Sequence, residues 1–264
     1  MTDRDVGGTR VIVEACVDAI DGALEAERGG AGRIELCGEL LQGGVTPSAG
    51  LIGAVWDRID IPLFVLVRPR PGDFLYTEDE LEVMRRDIEQ MKMLGVDGIA
   101  IGALTAAGDV DVPAMTSLLA LARPMSVTFH RAFDFVRDQS SALDSLLELG
   151  VDRVLTSGGA ATASEGAAAI GKMVERVGER MIVMAGGSIT ASNVGDVVAV
   201  SRVKEVHVRG AARVESAMAH RRRGVSLSKT GTSDYDRSVA SADEIRQVVA
   251  RAAGTRRAES TSIQ

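Results

Sequence analysis

The chain has 264 residues and a net charge of −7, with 45% apolar and 25% charged residues. That acidic balance, broken only by the short basic run His220–Gly224, argues against nonspecific nucleic-acid binding, and no apolar run is long enough to span a bilayer. Two cysteines behind an N-terminus without an apolar signal core point to a reducing, cytoplasmic setting.

In chain order, a polar stretch over residues 1–9 is expected as a disordered tail. Short apolar strands then open at Val11, Arg33, Pro62, Gly98, Ser126, Arg153, Met181 and Glu205, spaced 22 to 36 residues apart. Each interval accommodates one strand, one helix and two short loops. Strands joined through helices run parallel, and eight such units close a barrel. The spacing therefore predicts an α/β fold, a single-domain (β/α)8 TIM barrel over residues 10–253, with a second disordered tail at 254–264.

Local signals agree. The turns GGAGRI, LGVDGI and LGVDRV each place a glycine between a helix and the next strand. The helix from Thr77 opens with a capping box, Thr77 with Glu80, and carries Leu81, Met84, Ile88, Met91 and Leu94 on one face. Core packing accounts for Met91 without a metal role. Two connections exceed what the fold needs, Arg68–Thr77 and Arg209–Ser238, and both are expected at the active-site end as binding or covering loops.

Barrel active sites lie at the C-terminal ends of the strands. Alternation groups Ile12, Glu14 and Cys16 on one strand face and Arg33, Glu35 and Cys37 on another. A bare carboxylate under the outer helices would be costly, so Glu14 and Glu35 are expected inside, and with them Cys16 and Cys37 on adjacent strands. The same rule aligns Thr128 with His130 and Glu205 with His207. Arg68, Arg70, Asp73, Arg131, Asp134 and Ser157 follow at neighbouring strand ends. So many charged and nucleophilic groups on one rim exceed what packing requires.

The segments VEACVDAIDGALEAERGGAGRIELC, GGVTPSAG, VRPRPGDFLYTEDE, VTFHRAFD, ELGVDRVLTSG, VMAGGSI and EVHV, in this order, resemble the copper homeostasis protein CutC family over about Val11–Val249. The resemblance implies a (β/α)8 barrel and copper, with Cys16 and Cys37 as thiolate ligands. Copper(I) is soft and favours such ligands. Where many members carry a small Ser/Ala-rich segment after the last-strand histidine, this chain reads HVRGAAR, adding the cation Arg209.

Two function classes stand open. One is a copper(I)-binding protein using Cys16 and Cys37. The other is an enzyme for a small anionic ligand, with His130, Glu14 and Glu35 as acid–base candidates. In that reading Arg68, Arg70, Asp73, Arg131, Asp134, Ser157, His207 and the glycines Gly186 and Gly187 bind a phosphate or carboxylate. Assembly into a homo-oligomer is a third expectation, for which the sequence shows no interface.

Overall fold

The computed structural model describes residues 11–222, 224–227 and 233–261. Eight parallel strands close one barrel: β1 (Ile12–Val17), β2 (Arg33–Leu36), β3 (Leu63–Leu66), β4 (Gly98–Ile101), β5 (Ser126–Phe129), β6 (Arg153–Thr156), β7 (Ile182–Gly186) and β8 (Glu205–Val208). Each strand pairs with the next, and β8 returns to β1 with Glu14 opposite His207. The outer ring is α1 (Ile20–Arg28), α2 (Ala49–Trp56), α3 (Glu78–Leu94), α4 (Val112–Ala122), α5 (Gln139–Glu148), α6 (Ala163–Val177), α7 (Val194–Ser201) and α8 (Ala242–Thr261).

The core lies between strands and helices. Val13, Ala15, Ile34, Val65, Ile99, Val127, Val154, Val183 and Val206 occupy the outward strand positions and are buried. Burial on both faces gives these parallel strands their nearly continuous apolar character. On α3 the capping box forms, and Met84, Ile88 and Met91 are buried while Met93 faces solvent. The three helix-to-strand turns place Gly30, Gly95 and Gly150 at positive φ, where a side chain would be strained.

Two expectations change. The Arg209–Ser238 connection is not one open loop: β9 (Ala211–Glu215) and β10 (Asp236–Ala240) pair antiparallel within and just beyond it. Val239 and Ala240 are buried, which ties the ribbon's base to the body. Part of its SLSKTG stretch lies outside the described residues. At the C-terminus, α8 continues past Gly254 to Thr261, where a tail was expected. One interior glycine costs a helix about 1 kcal/mol relative to alanine, too little to end one that enters it through Ala252 and Ala253. The expected tail at 1–9 lies outside the described residues.

Candidate metal centre at the barrel mouth

The inner strand face holds the site. Register sets Glu14 beside Arg33 and Cys16 beside Glu35, and Cys37 follows β2 on the same face, its N–H donating to Val17 at 2.8 Å. The two sulfurs lie 3.6 Å apart, both buried and both free thiols. Leu40, Leu66 and Ala100 pack around them as an apolar wall.

A continuous polar chain runs from the barrel floor to these thiols. Arg153 donates to Glu205 through Nε and Nη2, at 2.6 and 3.0 Å. Arg33 bridges Glu205 and Glu14. Glu14 Oε1 is 2.8 Å from His207 Nδ1, and the other ring nitrogen is 3.7 Å from Glu35. Glu35 then lies 3.5 Å from Cys37 Sγ. The Phe64 ring supports both arginines from beneath, 4.8 Å from Arg33 and 5.4 Å from Arg153.

Burial and neighbouring charges set the protonation of each link. Burial would push the Glu14 carboxyl up, but Arg33 and then His207 outweigh it and hold it well below the usual range. Glu205 is likewise lowered, its burial outweighed by Arg33 and Arg153. For Glu35, burial dominates and raises the carboxyl to about 8. Burial disfavours a charged His207; against it stand the Glu35 carboxyl wherever it is ionised and, while Glu35 holds its proton, Cys16 and Glu14, which keep the imidazole above its ordinary value. The Cys37 hydrogen bond lowers Cys16 to about 5 despite burial; in return that bond, with burial, raises Cys37. At neutral pH the chain therefore reads Arg153 plus, Glu205 minus, Arg33 plus, Glu14 minus, His207 plus, Cys16 minus. Glu35 and Cys37 remain protonated, and the signs alternate so that each charge in this chain of contacts has an opposite neighbour.

Two overlapping donor sets follow. Cys16, Glu35 and Cys37 bring one ligand atom each within 4.8 Å of one another, as do Glu14, Glu35 and His207. The first is the softer set. With metal–sulfur bonds of about 2.3 Å, one ion can touch two sulfurs at this separation.

The remaining predicted site residues fall into separate groups. Arg68 is buried, with Nη1 on the Gly44 carbonyl at 2.8 Å and Nη2 on that of Gly72 at 2.6 Å. Arg70 braces its own loop, reaching Glu80 at 2.5 Å and Asp73 at 3.0 Å. Arg131 bonds Asp134 at 2.7 Å and the Ser157 hydroxyl at 2.9 Å, while Asp134 accepts from Thr156 and from the Ser157 N–H. Gly187, at φ +111°, lies against Ser157 and Arg131, and a Cβ on Gly186 would meet His207 Cβ at 3.2 Å. His130 sits apart from the acids, its ring 5.0 Å from that of Phe74 and its Nδ1 accepting from the Ala132 N–H. Burial, and then Arg68, lower its imidazole to about 3.

Arg153 was missed as a site residue, although alternation along the sixth strand already put it on the face of Ser157. Its partner Glu205 is 52 residues away in sequence, and no local pattern signals that pairing.

Fold and site together define a (β/α)8 barrel protein whose mouth carries a buried thiol pair on an alternating ion chain. Within that class the chain belongs to the CutC family, whose profile matches residues 11–212. It is 44% identical over 240 residues to the mouse copper homeostasis protein cutC homolog, spanning 90% of this chain and 88% of that protein. The human homolog is 44% identical over 236 residues, 89% of this chain and 86% of its own length. The CutC structure from Streptococcus agalactiae superposes with a TM-score of 0.72 at 31% identity, over 75% of this chain and 98% of that one. Phosphoribosylanthranilate isomerase from Thermotoga maritima, at 11% identity and a TM-score of 0.55, shares the fold alone. Among the described residues no helix is long and apolar enough to cross a membrane.

Proposed function

We propose that this protein binds copper(I) through Cys16 and Cys37 and takes part in copper handling in a reducing, cytoplasmic setting. The observation that carries the reading is the 3.6 Å approach of two buried thiols on adjacent strands. Charge supports a monovalent ion. Cys16 is already a thiolate at neutral pH, and binding displaces the Cys37 proton. Exchange of one proton for copper(I) leaves the total charge of the buried chain unchanged, whereas a divalent ion adds an uncompensated charge. Glu35 and His207 stand next to the sulfurs as further donors. The relatives named copper homeostasis proteins agree with this assignment.

An enzyme reading asks His130 to act with Glu14 or Glu35. Its hydrogen bonds reach neither acid, and the pair is already engaged with Arg33, His207 and Cys37. This arrangement favours the metal reading.

The test is anaerobic titration of reduced protein with copper(I) against a competing chelator, beside the Cys16→Ser/Cys37→Ser double variant. Saturation at one ion per chain with release of about one proton in weak buffer near neutral pH is expected. Equal affinity in wild type and double variant would remove the thiol site.

A further inference from the structure

The arginines inside the barrel are not equivalent. Arg33 and Arg153 each meet carboxylates, whereas no ion pair joins Arg68 among the described residues, although it is only 6% exposed. Two of its nitrogens are held by loop carbonyls and the buried Tyr76 hydroxyl lies beside the guanidinium, while its Nε makes no hydrogen bond among the described residues. His130, 5% exposed, accepts the Ala132 N–H at Nδ1. The ring proton is therefore on Nε2, and that nitrogen has no partner either. Two residues earlier on the same face of β5, the buried Thr128 hydroxyl is also unpartnered.

Register brings these groups to one place. Leu66 pairs with Ala100, and Ala100 with Thr128. Two residues on, Arg68, Gly102 and His130 share a level of the barrel. Between them Gly102 has no side chain, and a Cβ there would lie 2.6 Å from His130 Cε1. The imidazole thus fills the gap in β4 that separates it from Arg68. One aromatic ring covers both, with Phe74 5.0 Å from the Arg68 guanidinium carbon and 5.0 Å from the His130 ring centre.

A buried cation without a counter-ion is costly, as is a buried N–H without an acceptor. The open groups are donors: a guanidinium N–H, an imidazole N–H and a hydroxyl. Two N–H donors and a hydroxyl that can donate, carrying one positive charge, suit an oxyanion and repel a metal ion. We propose that Arg68, His130 and Thr128, beneath Phe74, form a binding site for a small oxyanion, a carboxylate or a phosphate. It adjoins the dithiol, because the Gly44 peptide that anchors Arg68 lies against Cys37, where a Cβ would be 3.5 Å from the sulfur. The site does not depend on copper binding.

The chain has three histidines, so imidazole nitrogen NMR resolves the test. Reduced protein is titrated with inorganic phosphate and, separately, with acetate, at constant ionic strength set by chloride. A saturable shift of His130 Nε2 is expected with at least one of them, while exposed His220 does not respond in the same range. Whichever anion saturates identifies the ligand chemistry. Arg68→Met weakens that anion by about tenfold or more, and Arg86→Met, on the exposed face of α3, leaves it unchanged. Should Arg68→Met fail to fold, His130→Phe read by calorimetric titration of the same anion carries the same expectation. Absence of a saturable response to both anions in the wild type overturns the proposal, as does an Arg68→Met variant that titrates like wild type.

Discussion

Replacing Glu35 by glutamine tests the protonation of the barrel mouth directly. The substitution keeps the shape of the side chain and mimics a protonated carboxyl. Burial raises Glu35 from its ordinary value near 4.5 to about 8 in the folded protein. Between those values the folded chain holds a proton that the unfolded chain has lost. Stability from this group is therefore complete below its unfolded pKa and declines as pH rises toward the folded one. One proton of difference corresponds to about 1.4 kcal/mol per pH unit. From about pH 5.5 to about pH 7.5 the wild type should lose roughly 2.5 kcal/mol through Glu35 alone, and Glu35→Gln should lose none of it. The other titrating groups are present in both proteins, and Glu35 stays neutral over this window, so their contributions largely cancel in the difference. Urea unfolding of reduced, metal-free protein at several pH values measures it. The stability of the variant relative to wild type should climb steadily with pH. Parallel profiles, with a constant difference between the two proteins, would show that Glu35 is ionised in the fold and would refute the alternating charge pattern.

Two further outcomes follow from the same chain of contacts. In reduced protein, thiolate absorbance should appear with a midpoint near pH 5 from Cys16; Cys37→Ala removes the hydrogen bond that chiefly lowers it and should move that midpoint upward. An unmoved midpoint would assign the thiolate to another cause. Glu205→Gln takes from Arg153 its carboxylate partner and leaves Arg33 with Glu14 alone, and should cost about 3–5 kcal/mol in urea unfolding. Adding Arg153→Met, which removes the excess cation, should recover part of that loss; strictly additive losses would mean the ion chain is not coupled.

Much of this was legible from the residues. Glu14, Cys16, Glu35 and Cys37 could be placed inside because a carboxylate among outer helices is costly and side chains alternate with period two. The same logic put His207 on the inner face of the last strand. It did not divide the rim into working groups. Arg70 and Asp73 brace one loop, and Arg131, Asp134 and Ser157 satisfy one another; as sequence they are indistinguishable from Arg68, which meets no carboxylate among the described residues. Nor did it reveal that His130 and His207, both at strand ends, have opposite protonation, one lowered by burial and a cation, the other raised by surrounding anions.

The sequence by itself determined the barrel, because strand spacing and helix-ending glycines are local properties, and it determined which face each strand turns inward. The tertiary structure alone decided the chemistry of the mouth. Barrel closure puts β8 against β1, so His207 reaches Glu14 from 193 residues away, and strand register sets the two sulfurs 3.6 Å apart. Charge state depends on those distances and on exclusion of water, and neither exists until the chain has closed on itself.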